Sequence, residues 1–272
     1  MSNPIIQGYY ADPDIRYFEG RYYIYPTTDG NKWHGTSFKC FSSENLKDWT
    51  DHGVIFDITC NSKWAKDFAW APTVGCKNGK YYLYYCAEKS IGLAVSNHPY
   101  GPFEDLSVEE PFLSIEKLEK GIVIDQVIDP SIFVDHDGRN YLYFGNSETP
   151  AVVELEEDMC TMIPGTMKNI IYEGKADCRE AFMTVYEQGR YHFTWSCLLY
   201  TSIPTKWLKV GMGLNATHSI KNYGIVSNTS NTGAKDSYGC LLYTSKVNKL
   251  YPLNANCIVF SFSFFINGRL KL

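Results

Sequence analysis

The chain has 272 residues, a net charge of −5 and no basic stripe, which argues against nucleic acid as a partner. Its longest apolar run, residues 257–266, is too short to span a membrane. Aromatic residues make up 15%, including 21 Tyr and 6 Trp, a composition that suits β-strands and equally suits the stacking of sugar rings.

The opening stretch, MSNPIIQGYYADPDI, lacks the basic and apolar regions of a signal peptide. Nine Cys are scattered without CxxC or Cys/His spacing, against both a disulfide framework and structural zinc. The expectation is a reduced, cytoplasmic protein.

Four segments then share one pattern along the chain: DPDIRYFEGRYYIYPTT (12–28), APTVGCKNGKYYLYYCA (71–87), DPSIFVDHDGRNYLYFGNS (129–147) and REAFMTVYEQGRYHFTWS (179–196). Each reads as a short strand, a turn ending in Gly-Arg, Gly-Lys or a close variant, and an aromatic-rich strand. Gly20, Gly79, Gly138 and Gly189 mark the turns, and Asn78-Gly79 and Asp137-Gly138 are hairpin dipeptides. The segments start 59, 58 and about 50 residues apart. Between them lie TSFKCFSS, SIGLAVSN and AVVELEED, further strand-like stretches. The only helical candidate, residues 109–120, reads better as a loop. Units of this length with four antiparallel strands are propeller blades, so the expected fold class is all-β, a β-propeller.

In a propeller the first strand of every unit faces a common axis. At those starts stand Asp12 before Pro13, Asp129 before Pro130 and Glu180 after Arg179, while Ala71-Pro72 with Trp70 beside it fills the place in the second unit. Each acidic residue alone is an ordinary turn or surface residue. Together, three carboxylates brought to one axis repel each other and shift one another's proton affinities, a cost more often accepted for chemistry than for stability. Paired carboxylates across a glycosidic bond are the apparatus of glycoside hydrolysis, and a separation of about 6.5–9.5 Å implies inversion.

Residues 4–196 resemble glycoside hydrolase family 43, through NPIIQGYYADPDI, YYIYPTTDG, AWAPTV, NGKYYLYY, GPF, IDPSIFVDHDGRNYLYFGN and CREAFM…GRYHFTWS, in that order. The resemblance implies a five-bladed propeller and an inverting hydrolase acting on arabinofuranosyl or xylosyl linkages of plant polysaccharide oligosaccharides. By the same resemblance Asp12 is the general base, Asp129 raises the proton affinity of the acid and holds it in place, and Glu180 is the general acid. Trp70 stacks on the sugar, packing in the core being its alternative. An oligosaccharide is then the partner, and no cofactor is expected. Some members carry a cation on the axis, but no ligands for one are placed here. Rival readings are a carbohydrate-binding propeller without catalysis, a scaffold propeller that binds protein, and a retaining five-bladed hydrolase acting on fructans.

The resemblance stops at Ser196. The hexapeptide CLLYTS follows at once, at 197–202, and recurs 43 residues later at 240–245 with unrelated flanks. It is what TGT CTC TTA TAC ACA TCT encodes, a sequence resembling the transposon end used in building sequencing libraries. Residues 1–196 are therefore expected to be a partial propeller domain of about three and a half blades. Residues 197–272 are expected to be a non-matching, chimeric tail that leaves the chain poorly soluble and nearly inactive.

Overall fold

The computed structural model describes residues 5–29, 31–146, 150–170, 180–187, 190–196, 207–209, 212–214 and 224–226; for 180, 187, 190, 192, 194, 196 and the three short strands after them it describes the backbone alone. The first sheet holds β1 (Tyr10–Phe18), β2 (Arg21–Thr28), β3 (Ser37–Ser43) and β4 (Thr50–Asp57). The second holds β5 (Trp70–Lys77), β6 (Lys80–Ala87), β7 (Ser90–Ser96) and β8 (Glu104–Asp105), and the third β9 (Ser131–Val134), β10 (Asn140–Phe144), β11 (Ala151–Leu155) and β12 (Lys168–Asn169). A fourth begins with β13 (Glu180–Glu187) and β14 (Arg190–Ser196). Strand follows strand as an antiparallel meander in each of the first three sheets. The first strands pack in series, β1 on β5, β5 on β9 and β9 on β13. The region 109–120 holds one short 3₁₀ turn, Ile115–Lys117, so the loop reading of it is correct.

Three short strands lie in the tail: β15 (Trp207–Lys209), β16 (Met212–Leu214) and β17 (Gly224–Val226). β16 pairs with β14 over His192 to Thr194, giving the fourth sheet a third strand. Both CLLYTS hexapeptides, and most of the tail, lie outside the described residues.

The tyrosines are explained first by packing. β6 is buried on both faces, and its period of two sorts the side chains. Tyr81, Leu83 and Tyr85 enter a core shared with Tyr25, Phe38 and Phe56 of the first sheet. Tyr82 and Tyr84 enter another, shared with Ile132, Leu142 and Phe144 of the third. Burying one such side chain contributes on the order of 1.5–3 kcal/mol. The phenol oxygens are not stranded: Tyr25 donates to Pro99 O at 2.6 Å, Tyr84 to Met159 O at 2.5 Å and Tyr85 to Asp105 Oδ2 at 3.1 Å. Burial pushes all three hydroxyls up, away from ionisation.

The hairpin signals hold in two places and shift in a third. Glu19-Gly20 and Asn78-Gly79 form two-residue turns with φ positive at both positions. Asp137-Gly138 instead sits within a five-residue loop between Val134 and Asn140, closed by Asp135 N donating to Arg139 O at 2.8 Å. Gly189 lies outside the described residues. One of the two-residue turns carries no glycine: Glu88-Lys89 joins β6 to β7 with φ of 48° and 58°. The Glu88 carboxylate holds it by accepting from Asp67 N at 3.0 Å and Lys66 N at 3.3 Å.

Candidate active site

Three of the four units open on the same irregularity. Strand register slips between Ala11 and Asp14, between Trp70 and Thr73, and between Glu180 and Met183, which are β-bulges. The residue at each of these bulges is left-handed, Asp12 at φ 41°, Ala71 at 42° and Ala181 at 56°, and so is Asp129 at 54°, two residues before β9. Such a conformation costs a non-glycine residue about 1–2 kcal/mol. Asp tolerates it best, and the following Pro13, Pro72 and Pro130 lack the N–H that a broken ladder would leave unpaired.

The register refines the equivalence read from sequence. Asp12, Ala71, Asp129 and Ala181 are the matching residues, and Glu180 stands one position earlier, level with Trp70. Glu180 opens β13 opposite Ser196.

Contacts then run from unit to unit. The Thr27 hydroxyl donates to Asp12 Oδ2 at 2.9 Å and accepts from Ala71 N at 2.7 Å. Cys86 stands opposite Trp70, as Thr27 stands opposite Ala11, and its sulfur lies near the Asp129 backbone and carboxylate. Asp129 Oδ2 in turn accepts from Ala181 N at 3.3 Å, beside Glu180. Asp12, Trp70, Asp129 and the start of the Glu180 strand are therefore brought to one place. Cys86 lies on its floor, fully buried, and burial with the Asp129 and Asp12 charges nearby pushes its thiol well up.

Asp12 keeps part of its surface open to solvent, yet its carboxyl is ringed by protein atoms. That loss of hydration raises its proton affinity; the Thr27 hydrogen bond pulls it back, and the Asp29 carboxylate adds to the rise. A carboxylate raised in this way is a better proton acceptor near neutrality than an ordinary Asp.

Below the site Arg16 locks three first strands together. It donates to Asp14 Oδ2 at 2.8 Å, to Thr73 Oγ1 at 2.8 Å and to Ile132 O at 3.0 Å, while Asp14 also receives Val74 N at 2.9 Å. Two residues separate this ion pair from Asp12, so the carboxylate stands on a braced strand.

An aromatic wall rises beside Trp70. Its indole N–H donates to Trp33 O at 2.8 Å, its ring meets Trp33 edge-on at 6.3 Å, and Phe68 lies 5.0 Å away. Trp70 is half-buried and Trp33 is 53% exposed. His34 packs on Phe68 at 5.3 Å and binds Asp67 at 2.6 Å, which holds the Asp67 carboxyl below its usual range. Trp70 thus packs against Trp33 and Phe68 while staying half-buried. Sequence reasoning missed Thr27, Cys86, Trp33 and Phe68. Thr27 and Cys86 could have been found by aligning the units, since each lies 15 residues after its bulge. Among the described residues no cluster of His, Cys, Asp or Glu could hold a metal, and no helix is long and apolar enough to cross a membrane.

A family model described as glycosyl hydrolases family 43 matches residues 1–231, running 35 residues past Ser196. The β-D-galactofuranosidase xynD of Aspergillus niger is 39% identical over 59% of this chain and 49% of its own length. A xylosidase/arabinosidase of Humicola insolens is 37% identical over 52% and 45%. The chain spans about half the length of the curated relatives it matches. Among solved structures, an α-L-arabinofuranosidase from Clostridium thermocellum superposes with a TM-score of 0.64 at 31% identity, over 79% of this chain and 72% of that one. A β-xylosidase/α-arabinofuranosidase from a compost metagenome, solved with xylotriose, gives 0.61 at 26% identity over 81% and 78%.

Proposed function

Because the chain belongs to glycosyl hydrolase family 43, we propose that it removes arabinofuranosyl or xylosyl units from plant polysaccharide oligosaccharides with inversion at the anomeric carbon. The observation that carries the reading is the chain of contacts from Asp12 through Thr27 and Ala71, then Cys86 and Asp129, to Ala181. It runs past Asp12 and Asp129 to the residue beside Glu180, which supports reading the three as one site. The sheets are the blades of a five-bladed propeller, and the site is their axial mouth.

In this reading Asp12 takes a proton from water as the water attacks the anomeric carbon. Glu180 delivers a proton to the departing glycosidic oxygen. Asp129, bonded to the backbone beside Glu180, fixes that acid and keeps it protonated by like-charge repulsion. Trp70 stacks on the sugar and excludes water from one face.

The relative named for galactofuranose widens the test. β-D-Galactofuranose has the ring stereochemistry of α-L-arabinofuranose and differs by one exocyclic carbon, so a furanose site meets both through the same ring hydroxyls. Nitrophenyl α-L-arabinofuranoside, β-D-galactofuranoside and β-D-xylopyranoside, with arabinan and xylan oligosaccharides, form the panel. Release of pentose from at least one arabinosyl or xylosyl substrate is expected. Turnover of the galactofuranoside alone would reassign the sugar, and turnover of none would overturn the reading. Binding of xylo-oligosaccharide without turnover would favour the non-catalytic propeller instead.

A further inference from the structure

We propose that Thr27 is a positioning residue of this reaction: its hydroxyl aims the Asp12 carboxylate and at the same time pins the backbone of the Trp70 wall. The proposal rests on the reading of Asp12 as the base.

Thr27 is 5% exposed and sits near the end of β2, paired with Ala11. A threonine hydroxyl has one proton to give and lone pairs to receive. The proton goes to Asp12 Oδ2 at 2.9 Å, and a lone pair takes Ala71 N–H at 2.7 Å. Its β-branched side chain is stiff about χ1, so the hydroxyl cannot swing away from either partner at small cost. Asp12 and Ala71 are the left-handed bulge residues of adjacent sheets, and one hydroxyl therefore joins two strained backbones. With Oδ2 committed to Thr27, proton uptake from water falls to Oδ1. Removing the hydroxyl frees the carboxylate to rotate and leaves Ala71 N–H unpaired next to Trp70.

The second sheet shows that the position works with different chemistry. Cys86 is the counterpart of Thr27, and its sulfur lies near Asp129, the counterpart of Ala71. In the third sheet the counterpart is Gly145, which has no side chain to offer; a Cβ there would run into Ile124. The N–H of Ala181 goes to the Asp129 carboxylate instead. Among the described side chains at this position, only Thr27 hydrogen-bonds both the next sheet's backbone and the carboxylate read as the base.

The test uses the full chain and the variants Thr27→Val, Thr27→Ser and Thr27→Cys, the last copying the residue that the second sheet carries. Three quantities are followed: kcat and KM against pH on nitrophenyl α-L-arabinofuranoside, the melting temperature, and the ¹³C titration of the Asp12 carboxyl, assigned by its loss in Asp12→Asn. For Thr27→Val kcat should fall about 10- to 100-fold with KM little changed, as a misaimed group of this kind costs. The acid limb of the profile and the Asp12 titration should both move to higher pH, because a donor to the ionised form has gone. Ser should restore both, and Cys, a weak donor, should fall between them. If Val does not fold, the order Thr, Ser, Cys in the titration carries the same test. Should the wild-type chain turn over no glycoside, the proposed function fails while the Asp12 titration still decides the role of Thr27. An Asp12 titration identical in all variants would overturn it. So would an activity loss that tracks melting temperature with an unmoved acid limb.

Discussion

At the scale of single residues, the roles proposed for the three acidic positions differ, and each has its own signature. Burial opposes the charge on Asp12, so its folded form binds a proton more tightly than its unfolded form. Stability from this group is therefore fully present below the unfolded value of about 3.9 and is lost as pH rises through the folded value. Asp12→Asn removes the opposed charge and keeps a residue that accepts left-handed φ, so it should melt at a higher temperature than wild type at pH 7. A lower melting temperature there would show that the charge is stabilised. In the proposed reaction Glu180 protonates the leaving oxygen while Asp12 acts on water. Glu180→Gln should cost about 10²–10⁴ in kcat on oligosaccharides, whose leaving group needs a proton. On a dinitrophenyl glycoside, whose leaving group needs none, the loss should be far smaller. Equal losses on both substrates would remove Glu180 from the acid's role.

At the scale of strands and turns, the structure supplies a stability test with a definite sign. Lys89 occupies φ 58° in a turn without glycine. Lys89→Gly relieves that strain and should raise the unfolding free energy measured in urea by about 0.5–1 kcal/mol, since glycine tolerates this region and its extra chain entropy offsets only part of the gain. Gly92→Ala should do the opposite. Its new Cβ would enter the ring of Tyr85, which is buried and held by Asp105, and overpacking of this kind costs on the order of 1–3 kcal/mol. These two positions also show what the sequence made legible. Gly20 and Gly79 announced their turns because glycine there is a local requirement. Glu88-Lys89 did not, because the turn is held by a carboxylate reaching another loop. The four units could be read from their aromatic strands, and Asp12 and Asp129 from Asp-Pro at two unit starts. The offset of Glu180 could not, since a bulge is a property of pairing and the fourth unit has no proline after Ala181. Trp33 and Phe68 escaped for a related reason: both stand on loops whose approach to Trp70 is set by tertiary packing.

At the scale of the whole molecule, first strands packed in series, cross-tied by Arg16 below and by Thr27 above, make the site a joint product of the first four sheets. We propose that residues 197–272 derive from joined foreign DNA, on the strength of the duplicated hexapeptide. The β16 strand nevertheless extends the fourth sheet, and the family match continues to residue 231. Long reads across the source locus should show a reading frame without either CLLYTS; an uninterrupted gene carrying both would refute the proposal. A foreign tail would loosen the site, and with it turnover, without altering its stereochemistry. The central claim, an inverting glycosidase centred on Asp12, is tested most directly by ¹H NMR of the first sugar released from nitrophenyl α-L-arabinofuranoside and β-D-xylopyranoside by the full chain and by Asp12→Asn. The account predicts a slow release from at least one of them, with β-L-arabinose or α-D-xylose formed first and no release by the variant. Product of retained configuration, or release that survives Asp12→Asn undiminished, would contradict it.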